Sequence, residues 1–185
     1  MKKTVLTFGL ISGAILSVMM AATVPFMDKI GFDKGAVFGY TSMVVAFLLI
    51  YFGVRSYRDN VAGGTVTFGR AFTVGALIAL VASACYVATW EVIYFGGFAP
   101  GFTEKYQAYA MERAVAKGES EQQLAKRRAD MENFARWYQN PVLNAAVTLI
   151  EPLPVALVMS LLTAGVVSRR RRNGAEFAAQ SRVTS

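Results

Sequence analysis

The sequence predicts an all-α fold: a polytopic membrane protein of four transmembrane helices, with an amphipathic helical excursion between the third and fourth spans. Three observations carry this expectation. The chain of 185 residues is 55% hydrophobic and only 17% charged, whereas soluble domains hold nearer 25% charged residues. The apolar excess is gathered into four long blocks almost free of charge. At a rise of about 1.5 Å per residue, each block is long enough to cross about 30 Å of hydrocarbon.

The first block, about residues 4–25, follows Lys2 and Lys3. A basic start before an apolar run is also the pattern of a secretory signal peptide. The run is longer than such peptides need, and Met19-Met20-Ala21-Ala22 is a poor cleavage site, so it reads as a retained span. The second block, 35–54, ends at Arg55, and the third covers 71–95. The fourth, 142–168, ends in Arg169, Arg170, Arg171 and Arg172. Together they make one transmembrane domain over residues 1–172, with 173–185 expected as a flexible cytoplasmic tail.

Orientation follows from Lys and Arg placement. Basic residues divide almost evenly between the two sides, but they are denser in the short segments that share a side with the termini. The four arginines directly after the last block add to this, and both termini are expected in the cytoplasm. The net charge of +7 then has a topological cause. Arg169, Arg170, Arg171 and Arg172 are placed to attract anionic headgroups, and no nucleic-acid partner is expected.

Within lipid, burial of apolar surface does not by itself drive helices together, and small residues permit the close approach that does. The first block offers Gly9, Gly13, Ser17 and Ala21 at four-residue spacing, and the third offers Gly75, Ala79 and Ser83. Both rows predict tight contacts. The plainer reading is packing inside one bundle, and the sharper one is a homo-oligomer formed through Gly9, Gly13 and Ser17.

Residues 96–141 are too long and too charged for a bare connector. Phe102, Tyr106 and Tyr109 recur at helical spacing, and Ser120 with Gln123 reads as a capping box that opens a second helix. Leu124, Met131, Phe134 and Tyr138 fall on one face of that helix, which Asn140-Pro141 ends. The two apolar faces need cover from each other, the bilayer surface, the mouth of the bundle or an envelope protein partner. Trp90, Tyr94, Trp137 and Tyr138 fit an interfacial aromatic belt.

The inventory of reactive groups is poor. The chain has no His and one Cys, Cys85, which argues against zinc sites, imidazole acid–base chemistry and an intramolecular disulfide. No phosphate-cradling loop or activated nucleophile pattern is present, and Gly63-Gly64 and Gly69 read as turn residues. No enzyme activity, metal or cofactor is expected. Two acids lie inside the predicted spans. Glu91 sits near the end of the third. Glu151 lies in the fourth, after Asn144 and Thr148 on one stripe and before Pro152 and Pro154, which free backbone carbonyls a turn earlier. These groups, with Tyr40 and Thr41, define a candidate intramembrane polar pocket of Tyr40, Thr41, Glu91, Asn144, Thr148 and Glu151. The competing reading has Glu91 reaching the interface and Glu151 bonding the kinked backbone.

A set of diffuse motifs carries a family resemblance. Gly39-Tyr40-x-x-Met43, Phe52-Gly53-x-Arg55-x-Tyr57-Arg58-Asp59 and Gly64-x-x-x-Phe68-Gly69-x-Ala71-Phe72 with Gly75, then Glu151-Pro152 and the final arginines, resemble a family of small bacterial four-span membrane proteins, domain of unknown function 4199. The resemblance covers roughly residues 1–172. It implies an inner-membrane address and four spans, and supplies no reaction or ligand. The function expected is therefore a non-enzymatic scaffold or accessory component of the bacterial inner membrane. The alternative is a small proton- or cation-coupled carrier using Glu151 and Glu91.

Overall fold

A backbone in hydrocarbon must satisfy its own hydrogen bonds, and a helix does so within one segment. The computed structural model, which describes the backbone of residues 1–183 and the side chains of residues 1–168, follows that rule: among the described residues every regular element is a helix. The contacts expected of Arg169, Arg170, Arg171 and Arg172, and the tail beyond them, lie outside the described side chains.

Helix α1, Lys2–Thr23, runs through a 3-10 turn at Val24–Phe26 into a short α2, Met27–Ile30. Pro25 lacks an N–H, so the chain tightens there before Gly31 breaks it. Helix α3 spans Phe32–Asn60 and α4 spans Phe68–Phe95, the latter capped by the Thr67 hydroxyl, which accepts from Arg70 N–H at 3.4 Å. Between them Gly63 and Gly64 take φ of +68° and +84°, left-handed values that suit glycine and confirm the turn. Helix α3 outruns the predicted block because charges such as Arg55 and Asp59 end an apolar run without ending a helix.

The excursion forms two helices, α5 at Phe102–Ala116 and α6 at Glu121–Tyr138. The capping box is present: Gln123 N–H donates to the Ser120 hydroxyl, and Ser120 N–H donates to the Gln123 side chain at 2.8 Å. Asn140 does more than end α6. Its side chain accepts from Val142 and Leu143 N–H and opens α7, Pro141–Ile150, with proline at the first helical position. Helix α8 follows at Leu153–Val183.

Helices Lys2–Ile30, Phe32–Asn60 and Phe68–Phe95 are each long and apolar enough to cross a membrane. The pair Pro141–Ile150 and Leu153–Ser168 makes a fourth span only as a broken one, bent by 40°. The chain is thus a polytopic helical membrane protein. Side chains such as Leu10, Val18, Leu48, Leu80 and Leu162 point outward, as a lipid-facing surface requires. Phe47, Ile50, Val54, Val74 and Ile78 form the buried centre, with Leu16 and Ala164 against it.

The packing rests on small residues and a few hydroxyls. The Gly9 and Gly13 row meets α4 of the same chain. A Cβ on Gly13 would stand 2.6 Å from Cys85 Cβ, and one on Gly9 would stand 2.7 Å from Val81 Cβ. One turn on, Thr89 Oγ1 donates to Ser17 Oγ at 2.7 Å. The row is therefore filled from within the chain, and α1 is built into the bundle. The Gly75, Ala79 and Ser83 row does not face it: Gly75 meets Ile50 of α3 and Ser160 of α8. On the other side of α1, Ser12 Oγ donates to the Ala46 carbonyl at 2.6 Å.

Overpacking a close contact costs about 1–3 kcal/mol. Gly13→Leu is expected to destabilise the bundle by at least that much in detergent unfolding. Gly165→Ala, where an added Cβ within α8 meets nothing within 4 Å, is expected to keep or raise the midpoint, because Ala favours a helix over Gly.

Candidate functional site

The break after Glu151 decides where the space in this bundle lies. Pro152 cannot donate to the Thr148 carbonyl one turn earlier. That carbonyl instead takes the Glu151 N–H at 3.4 Å, and the helix axis turns. Beyond the turn α8 packs on both α3 and α4, whereas α7 leans on α4 and α6. Helix α3 loses its neighbour at that level. A cavity of about 610 Å³ opens there, bordered by α1, α3, α4 and α7 and covered by α5 and α6.

Of the six residues read from the sequence, Tyr40, Thr148 and Glu151 border this cavity. Asn144 stands behind them, fully buried. Its amide donates to the Tyr138 carbonyl at 3.1 Å and its oxygen accepts from the Thr148 hydroxyl at 3.3 Å. The α7 stripe is thus a connected hydrogen-bond ladder. Thr41 faces away, with its hydroxyl donating to the Val37 carbonyl of its own helix. Glu91 is not on the cavity wall; its Oε1 is enclosed and has no hydrogen-bond partner among the described residues.

Glu151 bonds a side chain of α4 rather than the loosened backbone. Tyr86 donates its phenolic proton to Glu151 Oε2 at 2.7 Å. Tyr86, Trp90 and Tyr94 form a row at four-residue spacing on α4, a signal in the sequence that an eye on the two acids passes over. Trp90 and Tyr94 do not serve as an interfacial belt. Trp90 is buried, donates through Nε1 to Tyr138 Oη at 2.8 Å, and packs edge-on against Phe102 with centroids 4.8 Å apart. Tyr94 packs on Tyr138. Of the four aromatic residues expected at the headgroups, Trp137 alone is strongly exposed, at 68%.

The cover is held at the far end by α5. Phe32, the first residue of α3, takes the rings of Phe102, Tyr106 and Tyr109 at 5.1–5.7 Å. Asp33 beside it accepts from Tyr109 Oη at 2.5 Å and from Arg113 at 2.9 Å, and Lys105 pairs with Asp28 at 2.8 Å. The bond to Asp33 raises the Tyr109 phenol above its ordinary value. A raised acid pKa means that the folded chain holds the proton more tightly. The contact is complete below the free-tyrosine range and is lost only as pH rises through the elevated value. The apolar faces of the excursion therefore find their cover on the bundle mouth and on each other, where Gln107 also donates to the Met131 carbonyl at 3.0 Å.

A family model described as "Protein of unknown function (DUF4199)" matches residues 7–169. The chain belongs to the DUF4199 family. No curated protein and no solved structure matches it. The matched DUF4199 segment takes in the bundle, the cover and the broken helix, so the cavity lies wholly within it. Among the described residues of this DUF4199 chain, no three His, Cys, Asp or Glu side chains gather as a metal site.

Asp33 accepts from both Tyr109 and Arg113 of α5, so Asp33→Asn is expected to speed amide exchange across residues 102–116. Asp130→Asn, an exposed change on α6, is expected to leave that segment as protected as in the parent chain.

Proposed function

We propose that this DUF4199 chain is a non-enzymatic scaffold or accessory component of a bacterial inner membrane, which it crosses four times with both termini in the cytoplasm. The observation that supports this reading is the α5–α6 platform. One face is bonded to the bundle through Asp33, Asp28 and Trp90. Elsewhere α6 is exposed, with Arg128, Glu132, Arg136 and Trp137 all open along its length. An exposed tryptophan among mixed charges is the composition of a protein-contact surface.

The carrier reading draws on Glu151, which borders a cavity in the bundle. It also needs a second coupling group, and Glu91 does not border that cavity. Neither acid has a His or a reactive Cys as neighbour for chemistry of another kind, because the chain has no His and Cys85 packs against Gly13.

Purification after mild solubilisation is expected to retain a stoichiometric protein partner, released when Arg128 and Arg136 are both changed to Glu. The chain alone in liposomes is expected to pass neither protons nor cations, and measurable flux would favour the carrier. A tag placed after Arg172 is expected to stay unlabelled by an impermeant reagent in sealed cells.

A further inference from the structure

The cavity has a chemistry that a docking platform does not require. Three of its bordering residues carry a formal charge: Asp33, Arg113 and Glu151. Asp33 and Arg113 neutralise each other at 2.9 Å. Glu151 pairs with no Lys or Arg among the described residues, and its Oε2 is aimed by the Tyr86 hydroxyl at 2.7 Å. Glu151 is therefore the acid on this wall that has no basic partner among the described residues. The same space is lined by the aromatic side chains of Tyr40, Tyr86, Trp90, Tyr106, Phe134 and Tyr138. Ring faces carry negative potential and attract cations, most strongly where water is scarce. Met19, Met20 and Met27 line the α1 and α2 side with flexible apolar surface, which suits an apolar body of variable shape. The volume of about 610 Å³ falls within the range of about 300–1,000 Å³ typical of small-molecule sites.

We propose that this cavity binds an organic cation with an apolar body, free in the bilayer or borne as the amine head of a lipid, with Glu151 as its counter-ion and the aromatic side chains as its cage. Tyr86 is a positioning residue that holds the carboxylate toward the space. The site goes beyond the scaffold reading, because it lies within the bundle and not on the exposed side of α6, and its failure would leave the platform untouched.

The test uses the full chain in detergent with Trp137→Phe, which leaves Trp90 on the cavity wall as the sole tryptophan of the two in the sequence. Tetraphenylphosphonium is titrated against Trp90 emission, with empty micelles subtracted. Saturable quenching is expected. Tetraphenylborate, of similar shape and opposite charge, is expected not to saturate the site, and this comparison needs no change at Glu151. Glu151→Gln is expected to weaken phosphonium binding roughly tenfold or more, the scale of losing a charged partner. Glu151→Asp is expected to restore part of it. Displacement of the probe by lysophosphatidylethanolamine would identify a lipid head as the natural source. Displacement by dodecylamine alone would identify a free amphiphile. Equal binding of the borate, undiminished binding to a folded Glu151→Gln chain, or no saturable quenching would each overturn the proposal.

Discussion

A helix in hydrocarbon has no water to repair its missing hydrogen bonds, and the step from Glu151 to Pro152 removes one. The rest of the architecture is arranged around that constraint. The Thr148 carbonyl is served by a long bond from Glu151 N–H three residues on, the axis bends by 40°, and α7 leaves the path that α8 follows along α3. The bend separates a packed half of the bundle from a half that holds a cavity. The packed half contains Phe47, Ile50 and Ile78, all fully buried.

The close approach of α1 to α4 makes the bend tolerable. Lipid supplies no driving force for helix association beyond what contact and hydrogen bonding provide. Gly9 and Gly13 let Val81 and Cys85 of α4 lie directly on the α1 backbone, and the Ser12 and Ser17 hydroxyls tie α1 to α3 and α4. A rigid three-helix frame results, against which a broken fourth element is held. The cover adds a second restraint from outside the apolar spans. Its aromatic residues pack on Phe32 and Trp90, and its charges close on Asp28 and Asp33. Exposed ion pairs of this kind contribute little stability each. Here they set the position of α5 more than its energy.

Several features of the site were visible in the one-dimensional pattern and several were not. The α7 stripe of Asn144, Thr148 and Glu151 follows from helical spacing, and the structure realises it as a continuous ladder from Tyr138 to Thr148. The capping box at Ser120 and Gln123 was equally legible, because it depends on residues three apart in one helix. Tyr86 as the partner of Glu151 was not, since the two lie 65 positions apart and meet only when α4 packs on α7. The same reason removes Trp90 from an interfacial belt: its indole finds Tyr138 of the excursion, 48 positions away. Thr41 shares the stretch of chain that carries Tyr40, yet its hydroxyl closes on its own backbone and leaves the cavity wall to its neighbour.

The sequence alone determined the local and the periodic: which stretches are helical, which of them are apolar enough to lie in lipid, where Pro152 interrupts one, and that imidazole chemistry is absent. These are properties of hydrogen-bonding capacity, spacing and composition, each read over a few residues. Tertiary structure alone decided which faces meet. The Gly9 and Gly13 row is met by Val81 and Cys85 rather than by the other small-residue row. Glu151 is turned to Tyr86, and Glu91 stands apart from the cavity. Such pairings depend on interhelical angles and on where one bend falls, and those are set by contacts between segments distant in the chain.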